Sequence, residues 1–498
     1  MIELVSLFKR AAMFGDKTAI IDADQKTSYA QLLKRSEAIA AALLSSKDDL
    51  KEQHIAFAAP AGSDYTAIQW GIWRAGGAAV PLNIDATLPE IQHCTDTANV
   101  SHLIALTSTA EKIRPLCQEA GIKLLLLDDI DMERTTLLPE VSLDRRAMML
   151  FTSGTTNKPK GVVTTHRNIE AQVETLINFW QWQPTDVIPL FLPMHHVHGI
   201  INILTCALWS GATVEAFAKG FDLPKILARV SSDAYSVFMA VPTIYVKIIK
   251  VLEAMPEDKR LIICEGFNRM RLMISGSAAL PIKIHNTWQN LTGQVLLERY
   301  GMTEIGMGLS NPMDGERRPG SVGVALPGVE VQLVAEDSSV VEGEDNPGEI
   351  WIRGDNVFSE YWQNPKATEE SFTGDWFKTG DMAVREQGYY RIMGRLSVDI
   401  IKSGGYKLSA LEIENYLLAH DDISECAVIG IEDDTWGEVV TVVAVLEPGT
   451  TLDLPSLQAW SKDKMSNYKI PRILRIIKSL PRNAMRKVTK PDVKKLFN

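Results

Sequence analysis

A series of short apolar runs, spaced by amphipathic stretches, constrains this chain more than any other feature. The runs are HIAFAAP (54–60), SHLIALTS (101–108), KLLLLDD (123–129), AMMLFTS (147–153), DVIPLFLPM (186–194), SVFMAVP (236–242) and RLMISG (271–276). Runs this short and continuous read as strands buried on both faces, as in parallel sheets. Between them lie helical patterns such as YAQLLKRSEAIAAALLSS (29–46). The alternation predicts an α/β fold with wound sheets over the first part of the chain. A length of 498 residues exceeds what one hydrophobic core serves, so at least two domains are expected.

The texture changes after residue 315. SVGVALPGVEVQLV, GEIWIRGDNV, WFKTGDMAV and GYYRIMGR are short, Gly-punctuated and alternating, and predict a β-rich subdomain. It changes again at GRLSVDIIKSGGYKLS (394–409). Beyond that point come a helix from Ala410 to His420, the strands ECAVIGI and EVVTVVAVLE, a helix in LPSLQAWSKDKM and a strand in RILRIIKSL. These predict a separate small α+β domain of ordinary size. The expected domains are 1–394 and 395–498.

A net charge of −11 argues against nucleic acid as a partner, because backbone binding needs a basic face. Anionic substrates must then be caught by local cations inside a negative envelope. The five cysteines are scattered without C-x-x-C spacing, which disfavours a disulfide framework or zinc site and suits a reducing compartment. The first residues mix charges into their apolar run and do not read as a secretory signal. No stretch reaches about 18 uncharged apolar residues, so no membrane span is expected. The cytoplasm is the expected address.

The stretch LFTSGTTNKPKGVV (150–163) is rich in hydroxyls, glycines and lysines behind a buried strand. It is not a Walker A loop, because Pro159 stands where that pattern needs its second glycine. The ingredients still suit a polyphosphate. Gly154 and Gly161 allow close backbone approach, Thr152, Ser153, Thr155 and Thr156 supply hydroxyls, and Lys158 and Lys160 supply charge. Ligand crevices of α/β sheets lie at such strand ends. The competing reading is a solvated surface loop. In LERYGMTEIG (297–306) a strand is expected to end at Arg299–Tyr300, with Gly301 turning the chain. Tyr300 suits a purine face, Thr303 a phosphate oxygen and Glu304 a magnesium ion; the alternative is a turn with Thr303 as N-cap. KTGDMA (378–383), with Gly394–Arg395, offers Asp381 to a ribose diol or to an Asx-type turn. LPRNAMRKVTK (480–490) carries a lysine that is otherwise an ordinary solvated charge.

The order and spacing of FTSGTTNKPKGV, YGMTE, TGD, GR and PRNxMxK resemble the adenylate-forming superfamily of acyl-CoA synthetases, adenylation domains and luciferase, over essentially the whole chain. The resemblance implies a large N-terminal domain and a mobile C-terminal domain joined by a hinge. It implies two steps: an acyl-adenylate forms from ATP with release of pyrophosphate, and a thiol, usually coenzyme A, then displaces AMP. It implies that the loop from Thr152 to Lys160 holds the β- and γ-phosphates. Tyr300 would stack on adenine beside Gly276, Ser277 and Ala278. Thr303 would meet the α-phosphate, Glu304 the Mg²⁺, and Asp381 with Arg395 the ribose. Lys487 would reach in from the small domain to bridge carboxylate and α-phosphate, a contact of the kind whose loss costs about 10²–10³ in rate. After adenylation the small domain would rotate and bring in KSGGYK (402–407), where Gly404 and Gly405 leave room for pantetheine. Two positions depart from the pattern. Ser397 stands where Asp or Lys is usual at the hinge, and Arg486 where glycine is usual before Lys487. If that glycine needs positive φ, arginine there costs on the order of 1 kcal/mol, and Arg486→Gly is then expected to speed adenylation.

Arg299 precedes the Tyr-Gly pair, where many relatives carry no charge, and a guanidinium there suits a second carboxylate. The plainer reading is an ion pair with Glu298 or another carboxylate. LPMHHVHGI (192–200) adds His195, His196 and His198, of which His196 matches a histidine common across the superfamily. These stretches, with IIKSGGYKLSALEIE (400–414), resemble malonyl-CoA synthetases, which implies malonate, and methylmalonate beside it, as the acid. The rival expectations are a short- or medium-chain acyl-CoA synthetase, an adenylation enzyme loading a carrier protein, a luciferase-like oxygenase, and a nucleotide-binding protein without turnover.

Overall fold

The computed structural model describes residues 3–23, 25–152, 159–404, 406–462, 464–482 and 487–497, with side chains except that of Lys407. Three sheets build the first 325 residues. The largest has seven strands in the order Glu360–Tyr361, Lys160–Thr165, Arg146–Thr152, Ala78–Pro81, His54–Ala58, His102–Ala105, Lys123–Leu126. Its last five strands are parallel. His54–Ala58 and Ala78–Pro81 are buried throughout, as continuous apolar runs require. A second sheet runs Val237–Ala240, Leu272–Ser275, Leu297–Met302 in parallel, then turns antiparallel through Gly306–Ser310 and Val324–Ala325. A third joins Gln25–Ser28, Thr18–Asp22, Thr213–Ala216 and Val187–Leu190.

Helices close these sheets. Tyr29–Leu44 begins at Ser28, which forms a capping box with Gln31 and so satisfies two otherwise orphaned backbone donors. Its buried face, with Leu32, Ile39, Ala40 and Leu43, packs on Ser63–Arg74. A methyl group at Gly71 would lie 2.7 Å from Ile39, so glycine is what lets the two helices approach this closely.

The β-rich subdomain pairs Glu330–Val334, Gly348–Arg353 and Trp376–Glu386 in an antiparallel sheet, with Tyr389–Arg395 on Trp376–Glu386. The small C-terminal domain has its own sheet: Tyr406–Ser409, Ile400–Ser403, Gly437–Leu446 and Ile423–Asp433, with Ile473–Ile476 beside Gly437–Leu446. Its core, around Ile413, Leu417, Val428, Val442 and Leu457, is separate from the main one. Among the described residues no helix is long and apolar enough to cross a membrane.

Two local expectations change. The strand Leu297–Met302 does not end at Tyr300 but continues through Gly301 into a hairpin with Gly306–Ser310, bulged between Tyr300 and Gly301. Gly301 is a close-approach position: a Cβ there would lie 2.0 Å from Gly306 O. Thr303 accordingly caps no helix; it sits in the hairpin turn. In the small domain Ile400–Ser403 and Tyr406–Ser409 pair as antiparallel strands, with Ser403 opposite Tyr406.

Candidate active site

The site lies where the second sheet ends. Leu272–Ser275 and Leu297–Met302 run parallel with Ser275 opposite Glu298. The next residues along, Gly276 and Arg299, therefore share a face. The guanidinium of Arg299 lies against Gly276: a Cβ on that glycine would be 2.4 Å from Arg299 Cζ and 2.7 Å from Nη1. Arg299 is buried, and among the described residues its Nε and Nη2 have no hydrogen-bond partner. Burial pulls its pKa down to about 10, so it remains charged at neutral pH. Glu298 points the other way, as strand alternation demands, and its Oε1 accepts from Gly320 N at 2.7 Å. Among the described residues no carboxylate pairs with Arg299.

Ser277 takes a left-handed conformation, φ +67°, which is uncommon outside glycine and concentrates at functional sites. Its Oγ lies 3.0 Å from His198 Nδ1. His198 opens a π-helix, His198–Thr205, an element rare in general and frequent at functional sites. Burial pushes His196 down to about 3 and His195 to about 4, and it drives His198 well below its usual range too, with Arg299 and Lys487 adding repulsion. All three rings are neutral at pH 7.

Across from this face, Asp381 and Arg395 are register partners in adjoining strands. Asp381 Oδ1 accepts from Arg395 Nε at 3.0 Å, and Oδ2 accepts from Tyr300 Oη at 2.6 Å. Glu304 is buried in the turn after Tyr300, and its Oε1 accepts from Tyr361 Oη at 2.9 Å. Lys160 Nζ stands 4.8 Å over the Tyr361 ring, and Lys160 pairs with Thr152 across the mouth of a hairpin. Lys487 is solvent-exposed and lies within electrostatic reach of Arg299, Arg395 and Asp381. Burial lowers its pKa, Arg299 and Arg395 lower it further, and Asp381 opposes them. Hydrogen bonds and short-range electrostatic contacts thus draw together Arg299, His196, His198, Tyr300, Asp381, Arg395 and Lys487, spread over residues 196–487.

Residues 7–362 match the family model described as AMP-binding enzyme, and residues 412–487 match that of the AMP-binding enzyme C-terminal domain. The chain belongs to the AMP-binding enzyme family. It is 42% identical to the mitochondrial malonate–CoA ligase ACSF3 of Bos taurus, across 98% of this chain and 89% of that one. It is 37% identical to the malonate–CoA ligase of Arabidopsis thaliana, across 98% and 87%. The crystal structure of ATP-bound MatB from Rhodopseudomonas palustris superimposes with a TM-score of 0.90 at 31% identity, covering 99% of both chains.

In this AMP-binding enzyme the sequence-predicted residues fall into three groups. Gly276, Ser277, Tyr300, Asp381, Arg395, Arg299, His196 and Lys487 come together. Thr303 and Glu304 follow Tyr300 in its hairpin turn, Thr152 and Lys160 stand at the hairpin base, and Ala278 is exposed beyond Ser277. Ser153, Gly154, Thr155, Thr156, Lys158, Gly405 and Arg486 lie outside the described residues. Gly404 lies far along the chain in the small domain, φ +56°, and a Cβ there would be 2.9 Å from the Trp436 ring. Tyr361 was missed, although it lies in an aromatic-rich segment, FSEYW. The contact between His198 and Ser277 spans 79 residues and has no local signature.

Proposed function

We propose that the protein activates a small dicarboxylic acid, malonate above all, as an acyl-adenylate and transfers the acyl group to coenzyme A. Arg299 carries this reading: a charged guanidinium in the interior with two nitrogens unpartnered among the described residues. Burying an ion costs several kcal/mol even after relaxation. The distal carboxylate of a diacid supplies the missing partner as a bidentate pair, whereas a monoacid leaves the guanidinium bare, at a cost of about 2–5 kcal/mol. The Bos taurus and Arabidopsis thaliana relatives are malonate–CoA ligases, which supports the same acid.

At its other end the acid would attack the α-phosphorus of ATP through a carboxylate oxygen, forming the mixed anhydride and expelling pyrophosphate. Lys487 would stabilise the charge shared by that carboxylate and the α-phosphate, with Thr303 as a second contact. Asp381 offers about four lone-pair sites. Tyr300 and Arg395 occupy one each, which leaves acceptors for a ribose diol. Tyr300, Gly276, Ser277 and Ala278 would form the adenine pocket, and the loop from Thr152 to Lys160 would cradle the β- and γ-phosphates. The neutral rings of His196 and His198 would line the acyl cavity as hydrogen-bonding groups. Glu304 fits a magnesium ion delivered with ATP. It is a single hard oxygen donor with one oxygen beyond the Tyr361 bond, and Mg²⁺ characteristically takes one or two carboxylates plus substrate phosphates. When bound, the ion would neutralise phosphate charge.

Coenzyme A fits the small domain's face around Gly404. Tyr406 and Tyr468 are exposed and stacked at 4.5 Å, and Arg472 lies 4.1 Å over the half-exposed Trp436. Rings and cations together suit a nucleotide with phosphates. The five unpaired cysteines suit a reducing compartment. We propose the cytoplasm, with the mitochondrial location of the ACSF3 relatives as the competitor that fractionation separates.

The test is ATP–pyrophosphate exchange with malonate, methylmalonate, acetate, octanoate and benzoate. Malonate is expected to lead, and Arg299→Ala to cut its kcat/KM by about 30-fold or more while sparing acetate. Unchanged malonate kinetics in that variant overturns the reading.

A further inference from the structure

The loop carrying Lys487 is closed at its base by a bridge between Arg482 and Val488 and by Thr489 N donating to Pro481 O at 3.0 Å. Three residues beyond Lys487, the side chain of Lys490 turns inward and is nearly enclosed. Its Nζ lies 2.5 Å from Asp399 Oδ1 and 2.7 Å from Glu414 Oε1. Glu414 is fixed in turn, since its Oε1 accepts from Val428 N at 2.7 Å.

Asp399 is the more telling partner. It closes the turn that joins the two domains: its N–H donates to Arg395 O at 2.7 Å, and its Oδ2 accepts from Arg395 N at 2.9 Å. Gly394 makes room for this, because a Cβ there would lie 2.3 Å from Asp399 Cβ. On the other side of the turn, Leu396 N donates to Gly380 O at 2.8 Å, and Arg395 Nε reaches Asp381. One ammonium therefore ties the base of the Lys487 loop to the aspartate that clasps Arg395, and Arg395 is the group that orients Asp381. Ser397, uncharged, sits inside this turn and makes no such connection.

We infer that Lys490 is a positioning residue for adenylation: it holds Asp399 in the orientation that latches the inter-domain turn and so keeps Lys487 at the nucleotide site. The inference rests on the adenylation reading above. The ion pairs to Glu414 and Asp399 belong to the small domain if the chain pivots before Asp399, and they travel with it. The Arg395–Asp399 bonds cross the pivot, as do Ser409 Oγ donating to Met393 O and the ion pair of Lys402 with Glu336. Rotation must break those bonds, so the latch favours the adenylation arrangement alone and contributes nothing once the domain has turned.

The two half-reactions separate this role from plain scaffolding. Malonate-dependent pyrophosphate exchange reports adenylation, and conversion of preformed malonyl-adenylate to malonyl-CoA reports the thiol step. Lys490→Met is expected to lower the exchange kcat by about 10- to 100-fold, the cost of a misplaced catalytic group. The same variant should leave the thiol step within about twofold, and Lys490→Arg should recover most of the exchange by pairing both carboxylates. Should Lys490→Met fail to fold with two buried carboxylates left facing each other, Asp399→Ala removes the latch while keeping Lys490 paired to Glu414. It is expected to show the same selective loss. Exchange retained in both variants, or both half-reactions falling together with the melting temperature, overturns the role of Lys490. Absence of exchange in the wild-type protein with every acid refutes instead the adenylation reading on which it rests.

Discussion

A methyl group at position 276 has nowhere to go: it would fall 2.4–2.7 Å from three atoms of the Arg299 side chain. The same glycine is proposed to border adenine, so a substitution there discriminates between two consequences. If the crowding acts mainly on Arg299, Gly276→Ala displaces the guanidinium, and KM for malonate rises by about tenfold or more while KM for ATP moves little. The magnitude is that of roughly 1.4 kcal/mol or more lost from a buried charge contact. Steady-state kinetics with each substrate varied in turn checks this, and a rise confined to ATP would mean that the glycine serves the nucleotide. Arg299→Lys sharpens the point. Lysine keeps the charge but not the planar fork, so it should recover only part of the malonate rate lost in Arg299→Ala. Arg299 stood out in the sequence because it precedes the Tyr-Gly pair, where many relatives carry no charge. The left-handed Ser277 and its contact with His198 did not, because neither residue type nor spacing announces a meeting across 79 residues.

At the scale of elements, the strand Leu297–Met302 does two things with adjacent charges. Alternation sends Arg299 toward the cavity and Glu298 into the opposite layer, where burial raises its pKa to about 8. Adjacency in sequence suggested that the two might pair; the period of a strand rules that out. The sign of the pH dependence follows. Between the ordinary carboxylate range and about 8, folded Glu298 holds a proton that the unfolded chain has released, so its contribution to stability falls as pH rises, by about 1.4 kcal/mol per pH unit in that window. Glu298→Gln keeps the shape and the neutral state. Relative to wild type it should gain stability steadily from pH 5 to pH 8, read as the difference in urea midpoint, and a constant difference would show Glu298 ionised throughout. The central strands were readable because a parallel strand covered on both faces leaves an uninterrupted apolar run. Gly301 misled for a related reason. Glycine marks turns, but it also marks places where backbone must approach backbone, and only the pairing with Gly306–Ser310 decides between them. The π-helix His198–Thr205 has no periodic signature that distinguishes it from a buried helix or strand.

Over the whole molecule, the arrangement with Lys487 in the cavity leaves the aromatic face of the small domain exposed to solvent. Trp436, Tyr406 and Tyr468 are each at least 39% exposed, beside Gly404. Large rings left in water next to arginines are costly unless something covers them at another stage. The two-step chemistry supplies that stage. On the proposed mechanism a thiol would not enter while Lys487 fills its approach, so the small domain would turn, and the face that turns inward would hold the thiol's carrier. Replacing Trp436 with alanine should therefore raise KM for coenzyme A by about tenfold, the worth of one base–aromatic contact. Pyrophosphate exchange, which needs no coenzyme A, should stay at the wild-type rate. Arg472→Ala should do the same and weaken the dependence on the phosphates, seen as a smaller difference between coenzyme A and its dephosphorylated analogue. The contrast is with Lys490→Met, which is expected to spare the thiol step and impair the exchange. Two substitutions in one small domain with opposite effects on the two half-reactions require that the domain serve each step in a different orientation; effects in the same direction would mean that it works from one position throughout.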